Sequence, residues 1–127
     1  MKKRVLLVED HPGTVEVMRQ ELEVLGYQVE VAENGLQAVQ MSASAAPDAI
    51  VMDILMPEMN GLEAVAQIRA NPSTREIPIL AATALARPGE KEKCLAGGCD
   101  GYIAKPFTHK QLGAAIEKAF AARSGKR

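Results

Sequence analysis

The chain has 127 residues, of which 47% are hydrophobic and 24% are charged, and its formal net charge is −1. These values are typical of one soluble globular domain with a single core. No apolar stretch approaches the roughly 18 residues of a membrane span, no basic stripe favours nucleic-acid binding, and the apolar run after the basic start is too short for a secretory signal. We therefore expect a single cytoplasmic domain, ordered from about residue 4 to 122, with a short polar C-terminal tail.

Apolar periodicity and glycine or proline punctuation predict five strands that alternate with five helices. The strands are predicted at 4–8, 27–31 (an edge strand), 49–52, 79–82 and 102–104. The helices that follow them open at 11–14 and stop at Gly26, run from about 34 to 45, from 60 to 71, at about 88–96 (the weakest pattern) and at about 110–122. This alternation requires a parallel sheet with right-handed crossovers. Residues 123–127 are expected to fray.

Cys94 and Cys99 are the only cysteines in the sequence. Their spacing fits neither a CxxC redox pair nor a zinc half-site, and the histidines lie far away in the sequence. We interpret both as small buried apolar residues in a reducing compartment, with a thiol switch as the alternative.

Four of the five predicted strands end in polar residues of different chemical kinds. Glu9 and Asp10 follow the first strand, Asp53 the third, Thr83 the fourth and Lys105 the fifth. The carboxyl edge of an open parallel sheet is where ligands bind. Two carboxylates about 4 Å apart repel by roughly 4 kcal/mol at an effective dielectric near 20. Because Mg²⁺ takes oxygen ligands and often a substrate phosphate oxygen, the pattern favours a magnesium ion and a phosphoryl group.

The same residues suggest a chemistry. A carboxylate beside a metal and a lysine can attack phosphorus, so Asp53 is the candidate acceptor of an aspartyl phosphate. Lys105 offers a point positive charge to the phosphoryl oxygens, and Thr83 offers a hydroxyl donor. Taken alone, Glu9-Asp10 would fit equally well as the solvated acidic start of a helix. Pro106 leaves two forms open, the commoner trans bond and a cis bond that would turn the lysine toward the site.

At these positions the sequence resembles receiver domains of the two-component response-regulator family. The resemblance covers the chain from the first strand through the last helix and is carried by Glu9-Asp10, the segment DILMPEMNG at 53–61, Thr83-Ala84, Tyr102 and Lys105-Pro106-Phe107. It implies an α/β fold of the flavodoxin-like (βα)5 type. In that fold a doubly wound, parallel five-stranded sheet has the order 2-1-3-4-5.

The resemblance also implies roles for the site residues. Asp53 would accept a phosphoryl group from the phosphohistidine of a sensor histidine kinase or a histidine phosphotransfer protein. Asp10 and Asp53 would bind Mg²⁺ together with the backbone carbonyl of Leu55, and Glu9 would help through water. Lys105 would pair with the phosphoryl group. The protein would then be a phosphoacceptor with self-catalysed phosphoryl transfer, not a dedicated metabolic enzyme.

A conformational switch is the second implication of the resemblance. Thr83 would be the switch hydroxyl, and Tyr102 the aromatic that moves inward when Thr83 is drawn toward the phosphate. A half-buried strand aromatic is the simpler interpretation of Tyr102. Pro57, Gly61 and Pro106 would support the site, and the output face would comprise the fourth helix, the fifth strand and the fifth helix.

We make specific predictions for three further residues. Leu55 and Leu85 are apolar where some relatives carry polar groups that orient the attacking water, so we predict slow self-dephosphorylation. His11, next to Pro12, is expected to start a helix and not to bind a metal.

The output is less specified by the sequence. No effector domain is evident, so we expect binding to a separate downstream protein, relay to a phosphotransfer histidine, or a receiver that belongs to a larger protein such as a hybrid histidine kinase. The start at Met1 and the pattern GCDGY at 98–102 resemble small stand-alone receivers of the cell-cycle and relay type. A homodimer that forms on phosphorylation is compatible with this pattern.

Two other classes of function use similar residues. A magnesium-dependent phosphohydrolase would place its nucleophile after the first strand in a DxD arrangement, which Glu9-Asp10-His11-Pro12 lacks. A receiver-like interaction module that works without phosphorylation would usually lack an acid, the lysine or the acceptor, and this chain keeps all of them.

Overall fold

The computed structural model describes residues 2–54, 60–83, 87–105 and 107–124. Within these residues five strands and five helices alternate: β1 (Arg4–Val8), α1 (Pro12–Val24), β2 (Gln28–Ala32), α2 (Gly35–Ala45), β3 (Ala49–Asp53), α3 (Gly61–Ala70), β4 (Ile79–Thr83), α4 (Glu90–Ala96), β5 (Gly101–Ala104) and α5 (His109–Ser124). All the strand pairings are parallel, and the sheet has the order β2-β1-β3-β4-β5. The predicted flavodoxin-like fold is confirmed, with β2 as an edge strand.

The core lies on both faces of the sheet. Leu6 and Val8 of β1 pack into a cluster with residues of α2, α3 and α4, whereas Val5 and Leu7 pack into a second cluster with residues of α1 and α5. Successive side chains of a strand point to opposite faces, so a strand covered on both sides must be apolar throughout. This requirement explains the uninterrupted apolar runs that precede the polar strand endings.

Side-chain caps determine where three of the helices start. The Nδ1 atom of His11 accepts a hydrogen bond from the backbone N–H of Thr14, and Pro12 occupies the first turn of α1. Asn34 and Asn60 cap α2 and α3 in the same way. Such caps satisfy N–H groups that the first turn of a helix leaves without partners. His11 is therefore a helix-start residue, as predicted.

Most element boundaries lie within one residue of the prediction, and β2 is shifted by one residue, but the start of α4 and the end of α5 each differ by two. α4 begins at Glu90 and not near 88, because Gly89 adopts a left-handed conformation with φ of 80°. α5 runs from His109 to Ser124, and the expectation that residues 123 and 124 fray is wrong. The guanidinium of Arg123 is held by Asp100 at 3.0 Å, which extends the helix. None of the described helices combines the length and apolar character that crossing a membrane requires.

A buried ionic cluster lies at the amino edge of the sheet, opposite the polar strand endings. The side chain of Asp100, with 0% exposure, accepts hydrogen bonds from Arg69 of α3 at 2.8 Å and from Arg123 of α5 at 3.0 Å. It also accepts the backbone N–H of Ile79, at the start of β4, at 2.9 Å. One carboxylate thus joins two helices to the beginning of two strands.

Gly61 allows α3 to start in contact with the end of β3. A Cβ atom at this position would lie 2.7 Å from the carbonyl oxygen of Asp53 and 2.8 Å from the Cα atom of Ile54. Both are backbone atoms, so the strand end itself would have to move. The absence of a side chain at Gly61 is therefore a requirement of the backbone packing at this point.

Asp100→Ala should lower the free energy of unfolding by about 3–5 kcal/mol, because it leaves two partly buried guanidinium groups and a buried N–H without their acceptor. Urea denaturation measures the change. The control is Glu16→Ala, which removes an exposed ion pair with Arg19 and should leave the midpoint unchanged. An unchanged midpoint for Asp100→Ala would contradict the structural role of this cluster.

Gly61→Ala should destabilise the fold by about 1–3 kcal/mol, the usual range for overpacking at a site that cannot relax. Gly113→Ala is the matched control, since its Cβ would meet only the flexible side chain of Leu25, at 3.0 Å, and alanine is the better helix former. Equal thermal midpoints for the two variants would show that the end of β3 can shift at no cost.

Candidate functional site

The sheet brings the four polar strand endings to one edge. β1 lies beside β3, β3 beside β4, and β4 beside β5. In register, Val8 pairs with Met52, Asp53 with Ala82, and Thr83 with Ala104, so the strands end at nearly the same level. Glu9, Asp53, Thr83 and Lys105 therefore follow one another along the carboxyl edge, as the sequence predicted.

Three carboxylates form a compact acidic cluster at this edge. One carboxylate oxygen each from Glu9, Asp10 and Asp53 lies within 4.8 Å of the others. Glu9 is 3% exposed and Asp53 8% exposed, whereas Asp10 is exposed to solvent. The cluster is thus closed on the protein side and open on the side of Asp10.

This arrangement fits a divalent cation. Glu9 and Asp53 are within hydrogen-bond reach of each other. Two carboxyl groups at that distance need either a proton or a cation between them, because like charges in a buried site disfavour ionisation. Carboxylate oxygens are the ligands that Mg²⁺ prefers, and the open side leaves room for its waters.

Lys105 completes the site and is held by Glu9. Its Nζ atom donates a hydrogen bond to Glu9 Oε1 at 2.7 Å, and the lysine side chain is 20% exposed. The backbone N–H of His11 donates to the other oxygen of Glu9 at 3.4 Å. Burial disfavours the charged form of Glu9, but the hydrogen bonds with Lys105 and Asp53 outweigh burial, so its pKa is lowered. Glu9 therefore holds the ammonium group of Lys105 at the acidic cluster.

Backbone hydrogen bonds position the two central residues of the site. Asp53 and Thr83 are the last residues of β3 and β4, and the side chain of Thr83 is buried. The carbonyl of Thr83 accepts the N–H of Lys105 at 2.8 Å, and the carbonyl of Ala82 accepts the N–H of Ile54 at 3.1 Å. The strand ladder thus continues to the site and fixes Asp53, Thr83 and Lys105 relative to one another.

Tyr102 lies on β5 beside α4 and is half-buried. Its hydroxyl donates a hydrogen bond to Glu90 Oε1 at 2.7 Å. Burial, followed by the hydrogen bond and the charge of Glu90, raises the pKa of Tyr102 to about 12, so the phenol is protonated at neutral pH. Sequence reasoning missed Glu90, since an acid in the first turn of a short helix also suits the helix dipole.

Some predicted residues lie outside the described part of the chain. They are Leu55, with its expected carbonyl ligand, and Pro57, Leu85 and Pro106. Of the predicted residues that are described, Glu9, Asp10, Asp53 and Lys105 come together, with Thr83 at the neighbouring strand end. Tyr102 is joined instead to the start of α4.

Comparisons with known proteins agree with this geometry. The family model of the response regulator receiver domain matches residues 5–117. The polar-differentiation response regulator DivK of Brucella anthropi is 38% identical over 108 residues, which cover 85% of this chain and 88% of that protein.

Solved structures show the same likeness. The receiver domain of the sensor histidine kinase PA1611 from Pseudomonas aeruginosa PAO1, with a magnesium ion coordinated in its active-site cleft, is 37% identical with a TM-score of 0.87 and covers 95% of this chain and 99% of its own. The chemotaxis protein CheY4 of Vibrio cholerae is 30% identical with a TM-score of 0.87, and the likeness covers 94% of this chain and 99% of that one. Since the family model spans most of the chain and the strand endings carry the acids and the lysine that the resemblance requires, this chain belongs to the response regulator receiver domains of two-component signalling.

Proposed function

We propose that this receiver accepts a phosphoryl group on Asp53 from the phosphohistidine of a histidine kinase or a phosphotransfer protein. The observation that carries the proposal is the acidic cluster, in which the oxygens of Glu9, Asp10 and Asp53 lie within 4.8 Å and Lys105 is paired to Glu9 at 2.7 Å. A buried carboxylate beside a lysine and a cation-binding pair is the arrangement that nucleophilic attack on phosphorus needs.

Mg²⁺ is the proposed cofactor. Asp10 and Asp53 would hold the ion and Glu9 would act through water, whereas the carbonyl of Leu55 stays a prediction because it lies outside the described residues. When bound, the ion supplies positive charge for the phosphoryl oxygens. The receiver of PA1611, 37% identical to this chain, coordinates magnesium in its own cleft, which supports the assignment.

The side chains of the site would each have one task in the transfer. A carboxylate oxygen of Asp53 attacks phosphorus, the new O–P bond forms, and the P–N bond to the donor histidine breaks with its electron pair returning to the imidazole nitrogen. Lys105 exchanges Glu9 for a phosphoryl oxygen, and the hydroxyl of Thr83 donates to another. Because Asp53 is only 8% exposed, few waters compete with the phosphorus atom for the carboxylate.

We further propose that phosphorylation is read out through α4, β5 and α5. A groove of about 540 Å³ runs over this face, and its apolar lining includes Leu95, Ile103 and Phe107. Tyr102 also lines the groove, so a change in its position would alter the surface that a partner meets. The output is thus a two-state equilibrium that the charge on Asp53 biases.

We also propose a cellular compartment and partner proteins for this activity. We place the chain in the cytoplasm as a single receiver unit, since Cys94 and Cys99 are free buried thiols of the kind that reducing compartments keep. The partners would be a kinase or phosphotransfer protein on the input side and a separate protein on the output side. A homodimer formed on phosphorylation is a second output that sedimentation of the phosphorylated chain can detect.

A receiver that operates within a hybrid histidine kinase is a second candidate. The observation that favours it is the 37% identity to the receiver domain of the sensor histidine kinase PA1611. The chemistry at Asp53 would be the same, and only the source and the destination of the phosphoryl group would differ.

Incubation with a small acyl phosphate and Mg²⁺ should add one phosphoryl group per chain, detected by intact mass. The gain should vanish in Asp53→Asn, which removes the nucleophile, and on chelation of Mg²⁺. Asp48→Asn is the matched control, because it makes the same chemical change just before the other end of β3, where Asp48 accepts the N–H of Arg4 at 2.7 Å.

Two results would contradict this prediction in different ways. Continuous turnover of the acyl phosphate would indicate a phosphohydrolase. No incorporation from either the acyl phosphate or a phosphorylated histidine phosphotransfer protein would indicate an interaction module that works without phosphorylation.

The phosphorylated chain should lose its phosphoryl group slowly, with a half-life of minutes or longer in Mg²⁺, since apolar Leu55 and Leu85 offer no group to orient the attacking water. Leu55→Gln should shorten the half-life, because an amide can position a water molecule. Leu36→Gln, at a site 52% exposed on α2, is the control and should not change it. Release of inorganic phosphate after removal of the donor measures the rate, and a wild-type half-life of seconds would refute the prediction.

A further inference from the structure

A hydrogen bond joins the sheet to the first turn of α4. The hydroxyl of Tyr102, the second residue of β5, donates to the carboxylate of Glu90, the first residue of α4, at 2.7 Å. A phenol bound to a carboxylate at this distance makes one of the stronger side-chain hydrogen bonds. The position of the Tyr102 ring and the start of α4 are therefore linked directly.

α4 is held more lightly than the helices that precede it. It has 7 residues, its N-cap is Gly89 with no side-chain cap hydrogen bond, and Cys94 is its buried residue. By contrast, α1, α2 and α3 each start on a side-chain cap. Short helices with few buried contacts open and shift at low free-energy cost. The hydrogen bond from Tyr102 to Glu90 therefore ties α4 to the sheet at the turn where the helix has no side-chain cap.

Tyr102 faces the same side of the sheet as Thr83. Ala81 pairs with Tyr102 in register, and both contribute to the cluster packed under α2, α3 and α4. Thr83 lies two residues beyond Ala81 on the same strand, so its side chain points to the same face. A movement of the Thr83 hydroxyl toward a phosphoryl group would therefore be felt on the face where Tyr102 is held by Glu90.

We propose that Glu90 is a positioning residue that holds Tyr102 against α4 in the unphosphorylated state and thereby opposes activation. This inference rests on the proposed function of Asp53 and adds the group that sets the resting state. Movement of the Tyr102 ring away from α4 and toward Thr83 would break the hydrogen bond with Glu90. A hydrogen bond that exists only in the resting state stabilises that state relative to the active state. By linkage, the affinity for a ligand that binds the active state, such as a phosphoryl group or its mimic, falls by the same factor.

Glu92 provides a matched control on the same helix turn. Both acids lie in the first turn of α4 and interact alike with the helix dipole, so loss of either charge costs the helix a similar amount. Glu92 is exposed and influences Tyr102 through its charge, whereas Glu90 also accepts the hydrogen bond. Differences between the two alanine variants therefore report the hydrogen bond and not helix stability.

The first experiment uses the two tyrosines of the chain, Tyr27 and Tyr102. Fluorotyrosine incorporation gives one fluorine NMR signal for each, and Tyr27→Phe assigns them. The labelled full chain is titrated with beryllofluoride, a phosphoryl mimic, in Mg²⁺. Glu90→Ala should bind roughly fivefold more tightly than the wild type, at the lower end of usual coupling factors. Glu92→Ala should bind like the wild type.

A second readout tests the contact itself. Spectrophotometric titration of the unlabelled chain should give Tyr102 a pKa of about 12, and Glu90→Ala should lower that pKa while the contribution of burial remains. Tyr102→Phe removes the hydroxyl from the other side, so the double variant should bind beryllofluoride no more tightly than Glu90→Ala. Such non-additivity is expected of two groups that act through one hydrogen bond. Tyr102→Phe also serves as the second variant should Glu90→Ala fail to fold.

The outcomes separate the two proposals. If wild type responds to beryllofluoride but Glu90→Ala binds it no more tightly than Glu92→Ala, the role of Glu90 is overturned while the function of Asp53 stands. If wild type shows no response in Mg²⁺, the proposed function is overturned, and the role of Glu90 as a restraint on activation is overturned with it. Tighter binding in Glu90→Ala, together with the lowered pKa, supports the proposal.

Discussion

Repulsion among three carboxylates is the constraint on which the rest of this structure depends. Oxygens of Glu9, Asp10 and Asp53 lie within 4.8 Å of one another. Glu9 and Asp53 are buried at the ends of strands that are covered on both faces, so these two carboxylates cannot move apart without disturbing the core, whereas Asp10 is exposed to solvent. Lys105 offsets part of the charge through its contact with Glu9. Three carboxylates and one ammonium leave a formal charge of −2 when all are ionised. The fold thus builds a site whose negative charge a divalent cation such as Mg²⁺ would offset.

The two edges of the sheet show opposite solutions to the burial of charge. At the amino edge one carboxylate, Asp100, is surrounded by two guanidinium groups and a backbone N–H, so the protein itself supplies every partner. At the carboxyl edge three carboxylates lie together, Lys105 is paired with Glu9, and Asp10 is exposed to solvent. A buried charge with its partners in place fastens helices to the sheet, whereas a cluster of like charges favours a cation. The carboxylate at the amino edge therefore has a structural role, and those at the carboxyl edge form the candidate functional site.

The strands that end at the site are more deeply buried than the elements of the output face. β3 and β4, which end in Asp53 and Thr83, are buried along their whole length. β5 is half-buried, and the short helix α4 beside it starts at a glycine without a side-chain cap. In the proposed switch, a charge change at Asp53 acts on this less firmly held part of the structure, at the contact between Tyr102 and α4. A shift of Tyr102 would then alter the groove over β5.

The sequence by itself determined the order of the elements and predicted which polar residues would lie at the carboxyl edge, because both are encoded locally. Apolar runs predict the strands, and glycines and prolines end the helices. Four of the five strands carry a polar residue at or directly after their end, whereas the strand order came from the resemblance to receivers. Only the tertiary structure decided which polar groups pair. Lys105 with Glu9, Tyr102 with Glu90, and Asp100 with Arg69 and Arg123 join residues from different elements. The end of α5 was missed for the same reason, since Arg123 is helical through its contact with Asp100. Such pairs depend on the direction of long side chains once the layers have packed, and no local pattern contains that direction.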